Sequence, residues 1–168
     1  MGKKPRTVVH SDKVLRKASD YFELDLHSLA ATFDMLRRIP PQTEVRNAVV
    51  DSFLIRSRLL IDFLCRDQAR NDDVIALDYF HDFSPKPYRP YMSKELDRER
   101  EKINKRLVHL TVEPMPRLRS KQRYHPRKIV RPIVRAMKKW LSDVPDARLQ
   151  KGVRADYEKH LRRIERVL

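Results

Sequence analysis

Hydrophobic residues recur at intervals of three or four along most of this chain, with polar residues between them. This spacing matches the 3.6-residue turn of an α-helix and puts the apolar side chains on one face. The first such segment follows the capping pair Ser11-Asp12 and ends at about Arg38, before Pro40 and Pro41. It predicts a helix that packs on a partner through one stripe. The stripe consists of Leu15, Ala18, Phe22, Leu26, Leu29, Phe33 and Leu36.

Four further long helices and one short helix follow from the same pattern. The second runs from a cap at Thr43 to about Arg66 and is apolar over most of its circumference, which is typical of the central helix of a bundle. A short helix at 73–79 precedes a third long helix from Ser93 to about Leu110. A fourth covers about 128–142, and a fifth runs from about 143 to the last residue with Gly152 in its interior. The pattern predicts an all-α fold, a mainly antiparallel helical bundle of about five helices with a basic C-terminal helical extension.

The amino-acid composition excludes some classes of function but does not identify one. The chain has 2 glycines, which excludes the glycine-rich phosphate loops of nucleotide-binding folds. It has 1 cysteine, Cys65, in an apolar stretch, so we expect a buried, inert thiol and no thiolate zinc site within one chain. The acidic run at 71–73 is interpreted as a helix cap, and no metal or other cofactor is predicted. We divide the chain into a basic arm at 1–10, a helical bundle at 11–112, and a basic linker with C-terminal helices at 113–168.

The positive charge is concentrated in the C-terminal third. The net charge is +15, and residues 116–168 hold 17 Lys and Arg against 5 Asp and Glu, a local excess of +12. Such a field attracts polyanions, so nucleic acid is the first candidate partner, followed by an anionic membrane surface or an acidic protein. No apolar run approaches the roughly 20 residues that span a membrane, and the first residues lack the apolar stretch of a signal peptide. We therefore expect a cytoplasmic protein.

A stretch at 117–139 interleaves basic and aromatic residues. Arginines hold phosphates and aromatic rings stack on bases, so this stretch suits single-stranded RNA. A solvated surface, or docking on an acidic protein, explains the same composition. The candidate nucleic-acid-binding residues are Arg117, Arg119, Lys121, Arg123, Tyr124, Arg127, Lys128, Arg131 and Arg135, with His125 and Trp140 among the interleaved aromatic side chains.

The second helix carries a polar row formed by Asn47, Asp51, Arg58 and Asp62. Their spacing places them on one side, with Arg58 and Asp62 close enough to pair. Two interpretations stay open. The row is a solvated face, or it is a polar seam that faces the third helix or a dimer partner.

His109, at the end of the third helix, is the best candidate for an acid or base. Neighbouring cations, including Arg106, favour its neutral imidazole, whereas the helix C-terminus favours the charged form. A histidine between these influences suits proton transfer near neutral pH. It could equally cap the helix or be exposed. Asn104 is a catalytic residue or a buried link between helices, and Arg106 is a phosphate ligand or a solvated charge.

The segment 52–64, the stretch Asp72-Asp73-Val74, and the segment 103–111 with its Asn104 and His109 occur in an order that resembles the HEPN (higher eukaryotes and prokaryotes nucleotide-binding) superfamily over roughly residues 12–112. Active members of that superfamily are metal-independent RNases, often toxins or antiviral effectors, whose site usually forms between two protomers. Their motif is an Arg, a polar residue, and a His four to six positions after the Arg. His109 and Asn104 match, whereas Ile103 stands where the Arg would be.

The resemblance implies an RNA-binding protein and leaves open whether it cleaves RNA. In a cleavage reaction His109 would be the general base on a ribose 2′-hydroxyl, and Asn104 would position the phosphate. Arg58, Lys102 or Arg106 would stabilise the phosphorane charge. A homodimer is implied, and no metal. The alternative is a non-catalytic interaction protein whose basic C-terminal region docks on an acidic protein partner.

Overall fold

The computed structural model describes residues 9–41, 43–66, 72–80, 91, 93–109 and 125–168, without the side chains of Arg106, Val108 and His109. Those residues form five α-helices and two single-turn 3-10 helices, and none of them lies in a β-strand. The predicted all-α class is therefore confirmed. The α-helices are α1 (Asp12–Arg38), α2 (Glu44–Cys65), α3 (Lys94–His109), α4 (Pro126–Asp143) and α5 (Val153–Glu165). The 3-10 helices are Ala76–Tyr79 and Asp146–Arg148.

The first three helices begin where their capping residues predict. The side chains of Ser11, Thr43 and Ser93 accept hydrogen bonds from backbone N–H groups three residues later, at 3.4, 3.1 and 3.1 Å. Each bond satisfies an N–H group that has no partner within its own helix. The sequence pattern thus sets these three boundaries locally.

The start of the last helix was predicted wrongly. Residues 143–152 do not continue into α5, because a 3-10 turn at Asp146–Arg148 intervenes. Gly152 is the N-cap of α5 rather than an interior residue, and its φ of 85° lies in the left-handed region that glycine adopts without a steric penalty. Two other helices also begin at residues different from those predicted. The short helix begins at Ala76 instead of 73, and α4 begins at Pro126, where a proline loses no helical hydrogen bond.

α1 packs between α2 and α5. Later residues of α1 meet earlier residues of α2, so these two helices are antiparallel. Later residues of α1 meet later residues of α5, so that pair is parallel. The contacts that establish these directions are Phe22–Phe63, Phe33–Phe53, Ser19–Tyr157, Glu23–His160 and Asp34–Arg163.

α4 runs antiparallel to both α5 and α3. The start of α4 meets the end of α5, and Tyr91, just before α3, meets the end of α4. Because α4 is antiparallel to α5, and α5 is parallel to α1, α4 runs in the same direction as α2. α3 is therefore antiparallel to α2. The contacts are Arg127–Val167, Trp140–Tyr157, Tyr91–Asp143 and Glu95–Arg135.

Trp140 lies at the centre of the core and is 0% exposed. Its indole ring meets the rings of Phe63, Tyr79 and Tyr157 edge-on, with centroids 5.1, 5.3 and 5.6 Å apart. These T-shaped contacts are a favoured arrangement of aromatic pairs. The predicted basic extension thus shares one core with α1 and α2. The idea that Trp140 stacks on nucleic-acid bases is wrong, because no part of it reaches the surface.

α2 contacts α1, α3 and α4, as expected of a central helix, and Cys65 is buried as predicted. One strip of α2 nevertheless stays open, since Val45, Ile55 and Leu59 are 61%, 45% and 42% exposed. No helix in the described ranges has both the length and the apolar character needed to cross a membrane. At the predicted N-terminal arm, residues 1–8 lie outside the described part, while the His10 imidazole Nε2 lies 3.0 Å from the carbonyl of Asp73.

Candidate nucleic-acid interface and polar seam

One end of the bundle carries a group of exposed cations. The helix directions bring the start of α4 and the ends of α5 and α1 to this end, and Arg127 donates a hydrogen bond to the carbonyl of Val167 across the α4–α5 junction. We call this group the basic end, and all six of its side chains are exposed. It consists of Arg37, Arg38, Arg127, Lys128, Arg131 and Arg166.

Most of the basic end is not neutralised by the protein itself. Among the described residues, no carboxylate pairs with Arg37, Arg38, Lys128, Arg131 or Arg166. Further along α4 the cations are paired: Arg135 binds Glu95, and Lys138 binds Glu165 at 2.9 Å. Of the predicted nucleic-acid ligands in α4, Lys128 and Arg131 therefore present the freest charge, whereas Arg135 already has a partner.

The predicted ligands before α4 lie outside the described residues. These are Arg117, Arg119, Lys121, Arg123 and Tyr124. They precede His125 directly in the chain, and His125 is the exposed N-cap residue of α4, at the basic end.

The polar row of α2 has two different parts. Asn47 is exposed, whereas the Asp62 carboxylate is 13% exposed and meets three guanidinium groups at the α2–α3 junction. Arg100 of α3 donates to it at 3.0 Å, Arg66 at 3.1 Å, and Arg58 lies 3.7 Å away. The predicted Arg58–Asp62 pair is confirmed, and this part of the row faces α3. We call Asp62 and its three arginines the polar seam.

Asn104 follows Arg100 by one helical turn and, because α2 and α3 are antiparallel, lies toward the level of Arg58. Its carboxamide oxygen is buried, with no hydrogen-bond donor among the described residues. Lys102, a candidate for stabilising phosphate, instead binds the carboxylate of Glu99 at 2.5 Å. A buried oxygen without a hydrogen-bond donor is uncommon in folded proteins.

Two predicted catalytic residues fall outside this geometry. α3 includes Arg106 and ends at His109, but their side chains are not among those that the structure describes. Arg58 and Asn104 are thus placed in the α2–α3 junction, and the relation of His109 to them stays a prediction.

Among the described residues, the titratable groups with strongly shifted pKa values lie in the core instead. Burial and the nearby Asp78 carboxylate raise the pKa of Tyr79 well above its ordinary value, and burial raises the pKa of Tyr157 as well. Their hydroxyls donate to the carbonyls of Leu15 and Ser19, each at 2.8 Å. Both phenols therefore stay protonated and act as structural hydrogen-bond donors.

Sequence reasoning missed two sets of residues. Arg66 and Arg100 complete the polar seam, and Glu23, His27 and His160 form a second cluster between α1 and α5. The four-residue step from Glu23 to His27 was a usable signal, because it puts both side chains on one face. Nothing local in the sequence pairs α1 with α5.

The chain was compared with protein-family models, curated proteins and solved structures, and none of them matches it.

Proposed function

We propose that this protein binds RNA through the basic end, with Lys128 and Arg131 as central phosphate ligands. The observation that carries the proposal is the exposure of these cations without carboxylate partners in the described part of the chain. Unpaired surface cations interact with phosphates and release the counterions of the nucleic acid, which makes the binding favourable and salt-dependent.

The aromatic residues near these cations in the sequence favour RNA over an acidic protein as the partner. His125, which is exposed at the N-cap of α4, comes shortly before Arg127 and Lys128 in the sequence, and the stretch just before it contains Tyr124 and four further cations. Aromatic rings next to guanidinium groups are suited to unstacked bases, which single-stranded RNA offers. Arginine also matches the geometry of phosphate oxygens with two parallel hydrogen bonds.

The test compares two charge-matched double variants. Lys128→Gln with Arg131→Gln removes two cations from the basic end, and Lys13→Gln with Lys17→Gln removes two exposed cations from the start of α1, toward the opposite end of the bundle. Binding of a fluorescent single-stranded RNA is followed by anisotropy, with poly-glutamate as competitor. We expect the α4 variant to bind RNA at least fivefold more weakly than the wild type and the α1 variant to bind it almost as tightly. Poly-glutamate should displace little RNA from the wild type.

Two outcomes would count against the proposal. Equal losses in both variants would show that only total charge matters, and displacement by poly-glutamate at equal charge concentration would favour an acidic protein partner. The second result would support the non-catalytic docking role.

Cleavage of bound RNA is a second candidate, favoured by the buried carboxamide oxygen of Asn104, which lies one helical turn after Arg100 of the polar seam. We propose His109 as general base, Asn104 as phosphate ligand, and Arg58 or Arg106 as the source of stabilising charge. A metal-independent activity in EDTA that His109→Ala abolishes would support this mechanism. Unchanged cleavage in that variant would remove His109 from it. A homodimer, a cytoplasmic location and a role in a toxin or antiviral system stay predictions, with dimer and role following from the HEPN resemblance.

A further inference from the structure

Two imidazoles and one carboxylate converge at the junction of α1 and α5. Glu23 and His27 come from α1 and His160 from α5, and one potential ligand atom of each lies within 4.8 Å of the others. Nε2 of His160 is 2.6 Å from a carboxylate oxygen of Glu23. The rings of His27 and His160 stack with centroids 4.8 Å apart.

The three side chains differ in exposure in a way that suits a binding site. His160 is 6% exposed and Glu23 is partly buried, so the fold holds these two groups in place. His27 is exposed and closes the cluster from the solvent side. In the described ranges, no other group of three His, Cys, Asp or Glu side chains converges in this way.

The surrounding charges do not block a cation. Arg163, one turn after His160 on the same face of α5, is bound through its Nη2 atom to the carboxylate of Asp34 at 2.6 Å, and the exposed Lys159 and Arg162 lie on other faces of the helix. The carboxylate of Glu23 contacts His160 directly and supplies a negative charge to the cluster. One carboxylate and two neutral imidazoles are a ligand set typical of Zn²⁺ and similar divalent transition ions.

A hydrogen bond explains the contact between His160 and Glu23, but it does not account for His27. His27 lies one helical turn after Glu23 and presents a second imidazole to the first. Ligand atoms around a tetrahedral ion are about 3.4 Å apart, so the Glu23–His160 pair at 2.6 Å must open by less than about one ångström, and His27 must move inward by up to about 1.4 Å. The exposed His27 side chain can supply this by rotating about its own bonds.

We propose that Glu23, His27 and His160 bind one divalent transition metal ion of the Zn²⁺ class, which links α5 to α1. This site is separate from the basic end and from the polar seam. Three protein ligands leave a fourth position for water or a ligand group. The immediate consequence is metal-dependent stabilisation, because the ion binds residues that meet only in the folded chain.

The test uses the full chain freed of metal, with ZnCl₂ in isothermal titration and CoCl₂ for visible absorption. We expect one ion per chain, a cobalt spectrum with nitrogen ligands, and a rise in melting temperature with Zn²⁺ but not with Mg²⁺. His27→Ala should bind Zn²⁺ at least tenfold more weakly. Because His27 is exposed, this variant should keep the metal-free melting temperature of the wild type.

His125→Ala is the matched control, since His125 is also exposed but lies outside the cluster. It should bind Zn²⁺ like the wild type. Glu23→Gln preserves the side-chain shape and should weaken binding because the charge is lost. The proposal is overturned if the wild type binds no stoichiometric ion, if His27→Ala binds as tightly as the wild type, or if His125→Ala loses as much affinity as His27→Ala.

Discussion

At the scale of single residues, the Asp62 carboxylate connects three arginines and two helices. It accepts from Arg66 and Arg100, with Arg58 close by, and only 13% of its side chain is exposed. Removing the charge of such a group leaves several cations uncompensated in a partly buried place. Asp62 therefore both attaches α3 to α2 and restrains the arginines that a phosphate would otherwise attract.

We predict that Asp62→Asn lowers the free energy of unfolding by about 1–3 kcal/mol, because charged hydrogen bonds are replaced by weaker neutral ones. Urea denaturation at pH 7 measures this loss. Asp97→Asn is the control, since Asp97 is exposed on α3 and pairs with no described side chain. Equal stability of the two variants would show that Asp62 does not hold the junction.

The buried phenol of Tyr79 should make the stability of the folded protein depend on pH. The pKa of Tyr79 is raised in the folded chain, whereas in the unfolded chain the phenol ionises near pH 10. Above that pH the folded state holds a proton that the unfolded state has lost, so stability falls as pH rises. One such proton corresponds to about 1.4 kcal/mol per pH unit.

Tyr79→Phe should lower stability at pH 7 by about 1 kcal/mol, because the hydrogen bond to Leu15 is lost. It should also show a shallower decline in stability above pH 10. Chemical denaturation between pH 7 and 11.5 checks both effects. An identical slope in the two proteins would mean that Tyr79 ionises normally in the folded state.

At the scale of elements, local signals explain several helix boundaries, and Gly152 shows where they fail. Ser11, Thr43 and Ser93 mark the starts of the first three helices, and Pro40 follows the end of the first, so each signal acts within about four residues. The sequence around Gly152 also has helical spacing, so a glycine in the helix interior was the natural interpretation. The left-handed turn at Gly152 follows instead from the 3-10 turn that precedes it and from the packing of α5 on α1.

The two interpretations predict opposite results for Gly152→Ala. An interior glycine replaced by alanine would raise the free energy of unfolding by about 1 kcal/mol. The observed φ of 85° predicts a loss of about 1 kcal/mol, because an added Cβ disfavours this backbone conformation although it meets no atom within 4 Å. Urea denaturation decides the sign, with Lys151→Ala as an exposed neighbouring control.

At the scale of the whole molecule, helix directions create features that no local pattern contains. The basic excess of the C-terminal third was visible in the sequence, but the meeting of Arg131, Arg166 and Arg38 at one end depends on how α4, α5 and α1 are oriented. Trp140 illustrates the same limit, because its basic neighbours suggested a surface role while its ring fills the core. Only part of the polar seam can be predicted from the sequence. Arg58 and Asp62 lie one helical turn apart, whereas Arg100 belongs to another helix.

The most direct test of the central claim is the salt dependence of RNA binding. The logarithm of Kd for a single-stranded RNA is plotted against the logarithm of salt concentration for the wild type and the two charge-matched double variants. Each lost phosphate contact reduces the slope by about 0.7, so Lys128→Gln with Arg131→Gln should reduce it by about 1.4. Lys13→Gln with Lys17→Gln should leave it unchanged. Three equal slopes would contradict binding at the basic end.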